Sequence, residues 1–332
     1  MKIKALINWL ESVAPPAYQE SYDNSGLIVG DPEAEIKGVL TSLDATEAIV
    51  KEAIERGCNV IVAHHPIVFK GLKQLTGQNY VERTIIAAIK NEVAIYAIHT
   101  NLDNVFHQGV NGKIAEKIGL KNTAILAPKR ELKKLSAMLP AGLAVQAQEG
   151  VRGLGLALQA DLFAGQKLEV VFHGPAQGAI LNALRNTLGQ APVYDVVALE
   201  NKSLEVGSGL IGTLAEAMPE PEFLQHLKTV MQAGCVRHTG LLGRNVQRVA
   251  VCGGAGSFLL GSAIAQQADV FVTADYKYHE FFDADGRIVI ADIGHFESEQ
   301  YTIDLIYEII SGKFSTFALH CAKTNTNPVL YL

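Results

Sequence analysis

The stretch CNVIVAHHP, residues 58–66, decides the fold. Its apolar, β-branched run has the length of a strand, and Pro66, which has no N–H to offer a ladder, stops it. A strand without polar alternation is buried on both faces, as in parallel sheets covered by helices. The neighbouring segments agree. VLTSLDA (39–45) reads as a strand, and TEAIVKEAIERG (46–57) has apolar residues at helical spacing and ends on Gly57. Downstream, NYVERTIIAAIKNE (79–92) reads as a helix, VAIYAIHTNLD (93–103) as a strand and VNGKIAEKIGL (110–120) as a helix. The alternation predicts an α/β fold with a largely parallel sheet flanked by helices.

The last quarter repeats the rhythm. RVAVCGG (248–254), ADVFVTADY (268–276) and RIVIADIGH (287–295) read as strands, SFLLGSAIAQQ (257–267) and EQYTIDLIYEIISGKF (299–314) as helices, and TFALHC (316–321) as a closing strand. The middle differs: residues 141–165 are rich in Ala and Gly with weak periodicity, before a clearer strand–helix–strand over 167–201. The expected organisation is an N-terminal α/β block (1–128), a small α+β insertion (129–205) and a C-terminal α/β block (206–332). Two such blocks are either two domains or two halves of one sheet system, and the sequence leaves both open.

Bulk properties narrow the function. The 332 residues are 48% hydrophobic and 19% charged, enough for a large core. A net charge of −6 argues against an electrostatic grip on nucleic acid or anionic membrane. No apolar run is long enough for a transmembrane helix. MKIKALINWLESVAPP at the N-terminus reads as an amphipathic helix and not as a signal peptide. Cys58, Cys235, Cys252 and Cys321 are scattered without a CxxC pair, which suits free thiols and a cytoplasmic setting.

The chemistry gathers at strand ends. His64 and His65 close one expected strand, His99 and Asp103 the next, and His295 with Glu299 follow a third. In a parallel sheet the C-terminal ends lie on one edge, where ligands bind. Adjacent strand residues point to opposite faces, so His64 and His65 share a site only where the strand breaks. Taken singly these signals are weak: a His pair is more often incidental, and Asp103 suits a helix cap. Together, His64, His65, Asp103, His295 and Glu299 exceed what one tetrahedral ion needs and suit two metals sharing a carboxylate and a water. Asp103 is the expected shared carboxylate. Without thiolate, the set favours two zinc, iron, manganese, cobalt or nickel ions. His99 is expected to orient Asp103, and Asp44 to line the pocket.

Other candidates carry less. Lys277 and His279 in DYKYHE follow a strand end and suit a phosphate contact or an acid, or equally a solvated loop. Gly253-Gly254-Ala255-Gly256-Ser257 opens a helix but lacks the last Gly of GxGxxG, and tight packing explains it as well as anion binding does. His107, His173, His226, His238 and His320 have no partner motif and read as ordinary surface or core residues.

The stretches YDNSGLIVG (22–30), SLDAT (42–46), VAHHPIVF (62–69), HTNLD (99–103), GSGLIGTL (207–214), VAVCGGAGSF (249–258), TADYKYHE (273–280) and IADIGHFESE (290–299) stand in this order over almost the whole chain. In them the sequence resembles the NIF-three-like dinuclear metal-centre proteins, also called GTP cyclohydrolase type-two homologues. The resemblance implies a NIF-three-like fold and places the family's metal ligands on His64, His65, Asp103, His295 and Glu299. It further implies a toroidal homohexamer and, through the family's label, hydrolytic opening of the GTP ring. Longer relatives carry an insertion similar to the PII and CutA folds. APVYDVVALEN (191–201) resembles its last strand, whereas 131–166 looks shortened, without that insertion's first helix.

The expectation is a metal-dependent hydrolase acting on a nucleotide-like or phosphorylated small molecule. Its rival is a non-catalytic assembly that stores or senses metal.

Overall fold

The computed structural model describes residues 1–129, 132–140, 142–154, 157–161 and 167–332. They form two compact units, Met1–Ala127 with Gly207–Leu332, and Pro128–Val206.

The first unit holds two mixed sheets. One runs in the order Gly26–Val29, Ala94–Ala97, Val60–Ala63, Gly38–Ser42, Ala318–Cys321. Its last four strands are parallel, and Gly26–Val29 is antiparallel to its neighbour. Every residue of the three central strands is buried, as their unbroken apolar character predicts. The other sheet runs Arg237–His238, Val289–Asp292, Val270–Ala274, Asn245–Ala255, Gly207–Pro219, Lys121–Pro128. Its three central strands from Val289 to Asn245 are parallel, while Arg237–His238 and Gly207–Pro219 run against their neighbours. The α/β fold expected from the sequence is present, with parallel centres and an antiparallel strand at one edge of each sheet.

The strand TFALHC does not close the C-terminal sheet. Ala318–Cys321 joins the N-terminal one, parallel to Gly38–Ser42 with Ala318 opposite Gly38. The helix Thr302–Ser311 packs against both strands and carries the chain across. It buries Leu305, Ile306, Ile309 and Ile310. Helix Ile3–Val13 buries Ile3, Leu6 and Leu10, and Val110–Ile118 buries Val110, Ile114 and Ile118, each a stripe at helical spacing. These stripes join Val60, Val62 and Tyr96 of one sheet to Val249, Val272 and Val289 of the other in one apolar cluster. That shared core holds the sheets in fixed relation, and with them the site they frame.

The second unit is a sheet ordered Ala157–Asp161, Lys167–His173, Leu132–Met138, Val193–Ala198, antiparallel throughout. With helices Ala144–Gly150 and Gln177–Leu188 it follows the strand–helix–strand–strand–helix–strand order of ferredoxin-like folds. Leu168, Val170 and Phe172 alternate inward against Ile180 and Leu184. The first helix of this unit, absent from the sequence reading of 131–166, is therefore present as Ala144–Gly150. Its alanines favour helix without giving a strong apolar stripe. Residues 131, 141, 155–156 and 162–166 of that stretch lie outside the described residues.

Among the described residues no helix is long and apolar enough to cross a membrane. The four cysteines are free, with Cys58 and Cys252 buried.

Candidate metal centre

Parallel strands bring their C-terminal ends to a common edge, and the first sheet presents most of the cluster there. Asp44 follows Gly38–Ser42, His64 and His65 follow Val60–Ala63, and His99 follows Ala94–Ala97 to open the short helix Thr100–Asp103. The second sheet adds Asp275 after Val270–Ala274, and His295 and Glu299 as the two ends of a helical turn after Val289–Asp292. Asp23 arrives against the grain. It precedes Gly26–Val29, whose Gly26 lies opposite Ala97, so its side chain meets the end of the neighbouring strand.

Two adjacent histidines reach one site because the strand has lost its alternation. The His64 and His65 amides both donate to the same neighbouring segment, at Ser42 O (3.1 Å) and Leu43 O (2.9 Å). A regular strand turns consecutive amides to opposite sides. The irregularity leaves the two rings 4.8 Å apart, with His99 5.3 Å from each and His295 5.2 Å from His65.

All four imidazoles are anchored through Nδ1. His64 donates to the Ile98 carbonyl at 2.9 Å, and His65 to Asp44 Oδ1, His99 to Asp23 Oδ1 and His295 to Asp275 Oδ2 at 2.8, 2.8 and 2.7 Å. A carbonyl only accepts, so His64 carries its proton on Nδ1 and presents a bare Nε2. Support of this kind fixes tautomer and ring direction in metal-ligating histidines. Asp44 is itself held by the Thr326 hydroxyl, and Asp23 by the amide and hydroxyl of Thr100.

The Nε2 atoms converge on carboxylates. Glu299 Oε2 lies 3.0 Å from His65 Nε2 and 3.1 Å from His295 Nε2, while its Oε1 lies 3.9 Å from His64 Nε2. Asp103 Oδ1 stands 3.6 Å from His64 Nε2. These two atoms are buried and have no hydrogen-bond partner. Their separation is too long for a hydrogen bond. It is close to the ~3.4 Å that separates two ligands each about 2.1 Å from one tetrahedral ion. Orphaned buried donors and acceptors are costly, and a cation between them removes the cost. Three groups of side chains could hold an ion: His64 with His65 and His99, His65 with His295 and Glu299, and His64 with Asp103 and Glu299.

The electrostatics agree with a cation site. Burial pulls His64 down to about 4. Burial also acts on His65 and His295, but their carboxylate partners outweigh it and push them up to about 9 and about 11. Glu299, despite burial, is held well below the usual carboxylate range by His295, His64 and His65. Asp103 goes the other way, raised by burial and by the Glu299 carboxylate beside it.

The structure thus gathers His64, His65, Asp103, His295 and Glu299, with Asp44 behind His65. Two placements differ from the sequence reading. His99 bonds Asp23 and not Asp103, because the helix it opens carries Asp103 one turn further on. Glu299, and not Asp103, is common to two of the groups. Lys277 and His279 stand apart, exposed on the turn Tyr278–Ala284. Asp275, at φ 57°, reverses the chain after its strand, and Tyr276 buries itself on the way out. Sequence reasoning missed Asp23, Asp275 and Thr326 as supports. The first two sit in YDNSG and TADY, acids at strand ends, and that was their signal.

Beside the cluster opens a cavity of about 800 Å³, walled by Tyr22, Phe69, Tyr80 and Phe258 as well as His65, His99, His295, Asp103 and Glu299. Gly254 lies on its floor at φ 62°, where a Cβ would come within 2.7 Å of Glu299 Oε1. Its amide donates to Ser298 Oγ, tying the loop to the turn that carries His295 and Glu299.

An imidazole–carboxylate cluster that could hold metal ions, at the facing edges of two α/β sheets, is the mark of this molecule. Residues 1–328 match the family model described as Duf34/NIF3 (NGG1p interacting factor 3), and the chain belongs to that family. It is 31% identical over 368 residues to a "GTP cyclohydrolase 1 type 2 homolog" of Staphylococcus epidermidis, covering all of both chains. A protein of the same name from Bacillus subtilis is 31% identical over 98% of each. Among solved structures, a Bacillus cereus protein related to NIF3 superposes with a TM-score of 0.83 at 31% identity, over 100% of this chain and 99% of that one. HcgD from Methanocaldococcus jannaschii shares the fold, with a TM-score of 0.63 at 19% identity over 98% of each chain.

Proposed function

We propose that the protein is a metal-dependent hydrolase acting on a nucleotide-like or phosphorylated small molecule. Two divalent transition-metal ions would be held by His64, His65, Asp103, His295 and Glu299. The observation that carries this reading is the convergence of imidazole Nε2 atoms, on rings each anchored through Nδ1, on the Asp103 and Glu299 carboxylates beside an open cavity. Divalent ions there would supply an activated water near neutral pH and polarise the scissile group. The chain's own contribution is to hold the ligand set rigid through Ile98 O, Asp44 and Asp275, and to keep substrate against it in the cavity. The name carried by the relatives is that of a cyclohydrolase homologue, and cyclohydrolase chemistry is hydrolytic.

Elemental analysis of the purified protein, then turnover of a nucleotide panel with and without chelator, tests the reading. About two metals per chain and chelator-sensitive hydrolysis are expected. Metal without any such turnover would favour storage or sensing instead. The assembly we infer is a homohexamer, which light scattering would report as about six times the 35.7 kDa chain; a monomer would refute it.

A further inference from the structure

The wall of the cavity carries information on what enters it. Four aromatic side chains stand on it largely unburied: Tyr22 and Phe258 at 69% exposure, Tyr80 at 60% and Phe69 at 52%. Exposed rings gathered on one cavity, unlike rings scattered singly over a surface, mark a ligand-binding groove. Phe69 packs edge-on to His99, ring centroids 5.8 Å apart, so this ring of the wall meets the imidazoles of the cluster. Every charged side chain that the described residues bring to this wall is a carboxylate or an imidazole. Glu20, Asp44, Asp103 and Glu299 are the carboxylates.

Rings stack on the faces of flat heterocycles whatever their sequence of donors and acceptors. Carboxylates accept from N–H groups and repel anions. Two bound divalent ions would bring four positive charges, and the four wall carboxylates already balance them. A single phosphate could still sit at the ions, but a longer chain would extend into a wall that offers it acids and rings.

We propose that the cavity takes a neutral, flat nitrogen heterocycle, as a nucleoside or its monophosphate, and discriminates against nucleoside triphosphates. The heterocycle stacks on the wall formed by Tyr22, Phe69, Tyr80 and Phe258, and its reacting edge faces the cluster. This rests on the hydrolase reading for the reaction but not for the binding.

The test is calorimetric titration of the metal-containing protein with guanosine, GMP and GTP, with elemental analysis afterwards to show that the metals stay bound. Guanosine and GMP are expected to bind at least about 10-fold more tightly than GTP. Phe258→Ala should weaken guanosine by about 5- to 150-fold, the range for loss of one stacked base, with metal content unchanged. Phe258→Lys should weaken guanosine and strengthen GTP. GTP binding as tightly as guanosine to the parent protein would overturn the proposal, and so would guanosine failing to bind. Guanosine and GMP bound in the expected order, with no chelator-sensitive hydrolysis of them or of the nucleotide panel, would sink the hydrolase reading and leave the binding class standing.

Discussion

Loading the metal-free protein should expel protons, and the structure says how many. At pH 7, His65 with a pKa pushed up to about 9 and His295 pushed up to about 11 are both almost wholly protonated. His64, pulled down to about 4, is already neutral and releases nothing. A metal binds only the deprotonated imidazole, so binding at His65 and His295 must displace two protons. Any proton Asp103 retains adds to that number. The sign follows directly: raised pKa values keep protons on the ligands at neutral pH, so affinity falls as pH falls. Between pH 6 and 8 the apparent zinc affinity should rise by about 100-fold per pH unit, the slope for two displaced protons. Competition against a chromophoric chelator at half-unit pH steps measures it. Asp44→Asn removes a main cause of the raised His65 value, and its slope should fall toward one proton, about 10-fold per unit. A parent slope below one proton would show that His65 and His295 are neutral before metal arrives, and the electrostatic account of the cluster would be wrong.

Asp103→Asn should lose the ion shared with His64, while Glu299→Gln, common to two groups, should lose both; elemental analysis showing full occupancy in Glu299→Gln would remove its shared role. Asp275→Asn keeps an acceptor but removes the negative charge behind His295, and chelator competition should show metal affinity lower by about 10- to 100-fold. Gly254→Ala should weaken metal binding without unfolding the protein, because the added Cβ meets Glu299 Oε1 and the residue's φ suits glycine; unchanged affinity would contradict that geometry. Tyr96→Phe deletes a buried hydroxyl that has no hydrogen-bond partner, and denaturant unfolding should show stability unchanged or raised by about 1 kcal/mol; a loss of that size would reveal a hidden partner.

The parallel centres of both sheets were legible because their strands are buried on both faces and read as unbroken apolar runs, as in VIVA (60–63) and VFVTA (270–274). Edge strands were not. Arg237–His238 is two exposed residues with no pattern to find. Gly207–Pro219 is long, but its glycines and its bulge past Thr213 blur the alternation. The crossing of Ala318–Cys321 into the first sheet depends on where the helix Thr302–Ser311 packs, which is a property of the assembled core and not of the six residues concerned. The helix Ala144–Gly150 was hidden by its own composition, since alanine favours helix while giving the apolar stripe little contrast.

At the site, the strand-end rule found the imidazoles and the two inner carboxylates because each stands directly after a recognisable strand. It could not rank them. The choice of Asp103 as the shared carboxylate rested on charge and lone pairs, which Asp103 and Glu299 possess alike. What separates them is reach. Glu299 sits one helical turn after His295, so its longer side chain lies under both imidazoles of one group while its second oxygen turns toward His64. Asp103, at the end of a short helix opened by His99, approaches only from the His64 side. The same limit explains the missed supports. Asp23 belongs to an antiparallel strand, so it precedes its strand instead of following it, and a rule that searches C-terminal ends passes over it. An antiparallel edge strand delivers its N-terminal flank to the ligand edge, and that flank holds the acid which orients His99.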